Sequence, residues 1–135
     1  MSLENSIGVS AAGLRAQSLR MRVIAENLAN ASSVADTPGG DPYRRKVPTF
    51  KAAMDRTTGT TTVEITGIQA DQSEFTRVHQ PGNPAADADG YVKMPNVNSL
   101  VESADMKSAQ RSYEANLNAI ESARSLTMRT IDLLK

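Results

Sequence analysis

The sequence predicts a mainly α fold with a small β-rich insert, in which long N- and C-terminal helices pair as a coiled-coil-like hairpin. Both ends of the chain carry apolar residues at seven-residue spacing, and the middle holds all six prolines and six of the eight glycines. These observations divide the chain into an N-terminal helix at 1–31, a β-rich and loop-rich middle segment at 32–98, and a C-terminal helix at 99–135.

The N-terminal helix is predicted over residues 3–30, where no proline occurs. Its large apolar residues recur every seven positions as Ile7, Leu14, Met21 and Leu28. Small residues follow the first three of them by four positions, which permits a partner helix to approach closely. These small residues are Ala11, Ser18 and Ala25. Asn30 ends the helix and suits the left-handed position that often follows one.

The middle segment contains three short strand candidates, at 61–68, 75–78 and 90–94, separated by turn-forming residues. A strong turn is predicted at the sequence Pro81-Gly82-Asn83-Pro84. Gly90, Tyr91, Pro95 and Asn96 lie where the insert joins the last helix. We interpret this stretch as a hinge that sets the angle between the insert and the helices.

The C-terminal helix is predicted over residues 98–134, which contain neither glycine nor proline. Asn98 or Ser99 is placed to cap it, with Glu102 completing a capping box around Ser99. Its seven-residue series consists of Met106, Tyr113, Ile120, Thr127 and Leu134. Ala109, Asn116, Ala123 and Thr130 follow three residues after each of the first four, and Leu117 widens the apolar stripe.

Two long amphipathic helices flank an insert that is too small to cover them, so the remaining apolar positions need other chains. Polar residues within the seams, Asn27 and Asn116, are suited to fixing the register of the helices. The predicted assembly interface consists of Ile7, Leu14, Met21, Asn27, Leu28, Asn30, Met106, Tyr113, Asn116, Leu117, Ile120 and Leu134.

Composition excludes several classes of protein. The chain has no cysteine, which rules out disulfides and thiolate metal sites, and its net charge of zero weakens any case for nucleic acid binding. Leu, Val, Ile and Phe make up only about 19% of the 135 residues, so the chain depends on partners to bury enough surface. No stretch approaches the ~20 apolar residues of a membrane span, and the first ten residues do not resemble a cleaved signal peptide.

No catalytic, cofactor-binding or metal residues are predicted, and we do not expect an enzyme. The acidic stretch from Asp87 to Gly90 invites a calcium interpretation, but its glycine comes too early for an EF-hand loop, which favours a solvated turn. His79 is the single histidine and has no cysteine or second histidine with which to hold a metal. No nucleophile elbow, Walker loop or histidine-based triad occurs.

Four segments carry a resemblance to a known family. They read AENLANA at 25–31, QPGNPA at 80–85, DGYVKMPNVN at 89–98 and RSYEANL at 111–117. In this order and at these spacings the chain resembles the flagellar rod and hook proteins, and within them the FlgC family of basal-body rod proteins. The resemblance covers nearly the whole chain.

The resemblance implies a structural subunit of the proximal rod of the bacterial flagellum, located in the periplasm and exported by the type III route without cleavage. It also implies terminal helices that form the inner layer of a helical assembly, with the middle segment as an outer domain, and terminal regions that are often unfolded in the free monomer and become ordered on assembly. The implied partners are other FlgC copies, the rod proteins FlgB and FlgF, and FliE. Two alternatives remain open, namely a coiled-coil adaptor that binds one soluble protein and a sibling rod subunit such as FlgB.

Overall fold

The computed structural model describes residues 2–135, in which two helices flank two small antiparallel hairpins. The elements are α1 (Leu3–Ala29), β1 (Lys46–Met54), β2 (Thr61–Ala70), β3 (Thr76–His79), β4 (Tyr91–Met94) and α2 (Ser99–Leu133). β1 pairs with β2 in one two-stranded sheet, and β3 pairs with β4 in a second. Helices account for 46% of the chain and strands for 20%, so the predicted mainly α class overstates the helical share.

α1 has local signals at both of its ends. The hydroxyl of Ser2 accepts a hydrogen bond from the Asn5 N–H at 3.1 Å, which satisfies one of the free donors of the first turn. At the other end, the side-chain amide of Asn30 donates to the Glu26 carbonyl at 2.9 Å. The prediction of a left-handed Asn30 is wrong, because among the described residues only glycines have positive φ.

α2 begins at its predicted position, but its cap differs from the predicted capping box. The side-chain oxygen of Asn98 accepts hydrogen bonds from the Leu100 and Val101 N–H groups at 3.1 and 3.3 Å. Asn98 is therefore the N-cap residue. Glu102 does not reach back to Ser99, since its carboxylate is buried on the inner side of the helix.

β1 was absent from the sequence prediction, whereas β2, β3 and β4 lie within about two residues of their predicted bounds. Pro48 stands inside β1 and cannot donate to a strand ladder, so the segment lacks the usual strand signature. Thr49 and Thr66 face each other across the hairpin with hydroxyl oxygens 2.9 Å apart. Lys51 and Glu64 form a second cross-strand pair at 3.7 Å.

The β3–β4 hairpin pairs Val78 with Val92 and His79 with Tyr91. The rings of His79 and Tyr91 meet edge to face with centroids 5.0 Å apart. Gly90 precedes β4 with φ of 83°, and a Cβ placed there would lie 3.1 Å from the His79 Nε2. Only glycine meets both conditions at this position.

The chain forms two compact units. The first comprises residues up to Met21 together with Pro48–Gly67 and Lys107–Lys135. Its buried apolar residues are all alanines, namely Ala12, Ala16, Ala109 and Ala123. α1 and α2 approach closely within this unit, because a Cβ on Gly13 would lie 2.7 Å from the side-chain amide of Asn116.

The second unit comprises Arg22–Val47 and Ile68–Met106. Its buried apolar residues are Val23, Ile24, Ala85 and Val92. Two polar residues are equally buried, since Asn27 and Glu102 are each only 1% exposed. The centre of this unit is therefore partly polar, and its stability depends on how those two side chains are satisfied.

Replacing Gly90 by Ala tests the close approach before β4. We expect Gly90→Ala to lower the free energy of unfolding by about 1–2 kcal/mol, because it adds left-handed strain and crowds His79. Chemical unfolding followed by circular dichroism measures the change. Gly82→Ala is the matched control, since no atom lies within 4 Å of the added Cβ. Equal stability of the two variants would contradict the argument.

Candidate functional site: a buried polar cluster and exposed helix surfaces

Asn27, in the predicted assembly interface, forms its hydrogen bonds within the chain. Its side-chain oxygen accepts from the Lys46 N–H at 2.9 Å and from the Tyr43 hydroxyl at 2.7 Å. Its amide nitrogen donates to the Lys46 carbonyl at 2.8 Å and to Glu102 Oε2 at 3.4 Å. The Asn27 side chain therefore both accepts from and donates to the backbone of Lys46, the first residue of β1, as a neighbouring strand would. These hydrogen bonds hold the end of α1 against β1.

Glu102 is a buried carboxylate with a charged partner. Its Oε1 accepts a hydrogen bond from the Nε of Arg45, whose side chain is 24% exposed. Arg45 also pairs with Asp71 at 3.2 Å and lies 3.9 Å from Asp105. A buried carboxylate is tolerated only when such a partner and further hydrogen bonds compensate for lost hydration.

Asn96, assigned to the hinge, joins this arrangement through both ends of its amide. Its oxygen accepts from the Arg45 N–H at 2.7 Å, and its nitrogen donates to the Asp71 carbonyl at 3.0 Å. It therefore bridges the segment before β1 to the segment after β2. We refer below to Asn27, Tyr43, Arg45, Asp71, Asn96 and Glu102 as the polar cluster.

The titratable members of the polar cluster have shifted pKa values. Burial disfavours the charged guanidinium of Arg45, but hydrogen bonds and charge from Glu102, and then from Asp71, outweigh burial and raise the Arg45 pKa. Hydrogen bonds from Ser73, assisted by Arg45, lower the pKa of the Asp71 carboxyl. Burial, together with the negative charge of Glu26, raises the pKa of Tyr43.

The sequence analysis did not identify Tyr43, Arg45, Asp71 or Glu102 as members of a common site. One signal was available for Glu102, which lies seven residues before Ala109 and therefore at a seam position of α2. A charged residue within an apolar seam indicates a buried partner. Nothing local identified that partner, since Arg45 is 57 positions away.

The remaining hinge residues lie on or beside β4. Gly90 and Pro95 are buried, whereas Tyr91 is 43% exposed. The neighbouring Asp87 forms the predicted turn, because its carboxylate accepts from the Asp89 and Tyr91 N–H groups at 3.0 Å each. Within residues 2–135, no group of three or more His, Cys, Asp or Glu side chains is arranged to hold a metal ion.

The other predicted interface residues differ in exposure. Half-buried positions are Ile7, Leu14, Met21, Leu28, Asn30, Met106, Tyr113, Asn116 and Ile120. Leu117 is 39% exposed and Leu134 is 82% exposed. On α1 the most buried positions are Ala12, Ala16, Val23, Ile24 and Asn27, while Ser18 and Ala25 are exposed. The in-chain contact face of α1 is therefore rotated from the predicted seam.

Large apolar side chains remain exposed near the end of α2. Leu126, Met128, Ile131, Leu133 and Leu134 have exposed fractions of 52%, 54%, 47%, 85% and 82%. At 100° per residue these side chains point to several sides of the helix, and such a helix is normally buried on all sides. No helix in the part of the chain that the structure describes is long and apolar enough to traverse a bilayer.

Comparisons with known proteins agree with these features. Residues 88–133 match the family described as flagellar basal body rod FlgEFG protein C-terminal. The chain is 51% identical to the flagellar basal-body rod protein FlgC of Agrobacterium fabrum, over 94% of this chain and 91% of that protein. It is 42% identical to the FlgC protein of Salmonella typhimurium, over 98% of both chains, and 34% identical to that of Bacillus subtilis, over all of both.

Replacing Arg45 tests the buried ion pair. We expect Arg45→Met to lower the free energy of unfolding by about 3 kcal/mol, because it leaves the Glu102 carboxylate buried without a counter-charge. Urea denaturation measures the loss. Lys93→Met is the control, since Lys93 forms an ion pair with the exposed Asp41, and such surface pairs contribute about 0–1 kcal/mol. Adding Glu102→Gln to Arg45→Met should recover part of the loss, and no recovery would contradict this account.

We expect acid to lower the free energy of unfolding, in part because Asp71 becomes protonated. Its pKa is lower in the folded chain than the usual ~3.9 of the unfolded chain, so the unfolded state binds more protons between these values. The contribution of Asp71 is complete above pH ~4 and is lost as the pH falls through its folded pKa. Urea denaturation at pH 5 and pH 3 should show a smaller acid-induced loss for Asp71→Asn than for Asp36→Asn, which alters an exposed carboxylate. Equal losses would show that Asp71 is not responsible.

Proposed function

The chain belongs to the FlgC family of flagellar basal-body rod proteins, and from this premise we propose that it polymerises through its terminal helices into a hollow drive shaft. As a member of that family it is a structural subunit of the basal-body rod and assembles with other rod components. The proposed shaft transmits torque and passes later export substrates through its lumen. The protein catalyses nothing in this proposal.

The distribution of apolar residues carries the proposal. In the unit that contains most of α2, the buried apolar residues are alanines, and the large apolar side chains near the end of α2 are exposed. A monomer that buried its own core would place Leu126, Ile131 and Leu133 inside instead. Exposed apolar surface of this kind marks a contact with another molecule, and a rod subunit obtains that contact from its neighbours.

Two helix contacts support a coiled-coil-like hairpin. Gly13 approaches Asn116, and Asn27 bonds to Glu102. Each contact pairs a residue of α1 with a residue of α2, one within each compact unit. α2 has 35 residues and α1 has 27, so α2 is about 12 Å longer. In this hairpin the last turns of α2 extend beyond the start of α1.

The three segments then have separate roles. Residues 1–31 and 99–135 form the assembly core, and residues 32–98 form the outer domain. The proposed interface comprises Ile7, Leu14, Met21, Asn27, Leu28, Asn30, Met106, Tyr113, Asn116, Leu117, Ile120 and Leu134. The hinge residues Gly90, Tyr91, Pro95 and Asn96 set the angle of the outer domain, which the hydrogen bonds of Asn96 hold in place.

The proposed partners follow from the proposed location of the protein in the flagellum. We place the protein at the proximal rod in the periplasm, after type III export without a cleaved signal peptide. Its neighbours there are other FlgC copies, FlgB, FlgF and FliE. The similarity of the chain to proteins named flagellar basal-body rod protein FlgC supports this location.

Aspartate substitutions in the helices test the proposal in flagellated cells. We expect Leu14→Asp and Ile120→Asp to reduce swimming and the recovery of the chain in purified basal bodies at least tenfold, because both residues belong to the proposed seam. Ala119→Asp is the matched control, since Ala119 is exposed beside Ile120. Normal rods in the seam variants would contradict the proposal. A wild-type chain found only as a discrete soluble oligomer would favour the adaptor alternative.

A further inference from the structure

The helices α1 and α2 each belong partly to one compact unit and partly to the other. The second unit contains residues 22–29 of α1 and 99–106 of α2, which lie next to the insert in sequence, and we call these the inner segments. Residues 3–21 and 107–133 belong to the first unit, and we call these the terminal segments. The side chains that hold the inner segments differ in chemistry from those that hold the terminal segments.

The inner segment of α2 is held by a buried carboxylate. Between residues 99 and 106, Glu102 is the one buried side chain, whereas Leu100 and Val101 are 81% and 49% exposed. These two turns therefore contribute no buried apolar side chain to the second unit. Their placement depends on the pairing of Glu102 with Arg45 and on the hydrogen bonds that Asn98 accepts as the N-cap residue.

The inner segment of α1 meets the same carboxylate. The side-chain amide of Asn27 donates to Glu102 Oε2 at 3.4 Å, and Val23 and Ile24 of the same segment are also buried. All members of the polar cluster lie in the second unit. Among residues 2–135, no buried side-chain nitrogen or oxygen lacks a hydrogen-bond partner. The hydrogen bonds that join the two inner segments are therefore satisfied within one unit.

The terminal segments have a weaker local basis for folding. The buried apolar residues of the first unit are alanines, which bury little apolar surface each. The terminal segment of α1 also contains Gly8 and Gly13, and glycine is the least favourable residue inside a helix after proline. Packing within the first unit therefore stabilises the terminal segments only modestly.

We propose that the polar cluster is a folding nucleus of the free chain, which holds both inner segments in helical form before the terminal segments become helical. The first turn is the costly step of helix formation, unfavourable by about a thousandfold, whereas each later residue adds a hydrogen bond at little cost. The cluster supplies one formed turn to each helix, from which α1 extends toward its N-terminus and α2 toward its C-terminus. The inference goes beyond the rod function, because it concerns the chain before it assembles.

Hydrogen exchange of the full monomeric chain, resolved by mass spectrometry, tests the nucleus. We expect amides of the inner segments to exchange at least about a hundredfold more slowly than those of the terminal segments. Arg45→Met should accelerate exchange in both inner segments by about a hundredfold, because it leaves a buried charge uncompensated. Adding Glu102→Gln should restore part of this protection, which shows that the charge is responsible. Lys93→Met is the control and should change nothing, since Lys93 pairs with the exposed Asp41.

A second variant separates the two units. A Cβ on Gly13 would lie 2.7 Å from the side chain of Asn116, so Gly13→Leu disturbs the first unit. It should alter exchange in the inner segments by less than about twofold, because distant sites act independently. Loss of their protection in Gly13→Leu, unchanged exchange in Arg45→Met, or equal protection of inner and terminal segments in the natural chain would each overturn the nucleus. None of these results touches the rod function, which depends on recovery of the chain in basal bodies.

Discussion

The buried carboxylate of Glu102 is the constraint on which one half of this structure depends. A charge in that position must be compensated, and Arg45 and Asn27 supply the compensation from the segment before β1 and from the end of α1. These partners, in turn, hold the first residue of β1 and the loop after β2. The polar cluster thus fixes relative positions that a small apolar core does not specify by itself. Buried ion pairs contribute little net stability, but they penalise alternative arrangements that leave a charge unpaired.

The other half of the structure follows a different principle. In this compact unit α1 and α2 approach closely at Gly13, and the buried apolar residues are alanines. Alanine buries little apolar surface, at about 25 cal/mol per Å², so the core of this unit contributes only modest stability. Large apolar residues near the end of α2 remain exposed. In the proposed rod, neighbouring subunits cover them.

The polar cluster and the hinge are physically connected. Asn96 belongs to the polar cluster and to the predicted hinge. β4, which lies between Gly90 and Pro95, pairs with β3, and the rings of His79 and Tyr91 are in contact across this pairing. A change at the start of α2 therefore acts directly on the hairpin of the insert. In the proposed rod, this connection passes load from α2 to the insert through directional hydrogen bonds.

The sequence by itself determined both helices, their approximate ends and three of the four strands, because periodicity, caps and turn residues act over a few neighbouring positions. It also indicated the family, through four short segments at set spacings. Only the tertiary structure decided the contact face of α1, the existence of β1 around Pro48, and the pairing of Arg45 with Glu102. Those features join residues far apart in the sequence, such as Asn27 and Glu102, which are 75 positions apart. The seven-residue pattern shows which residues share a helix face, whereas the neighbour that covers the face depends on how the whole chain packs.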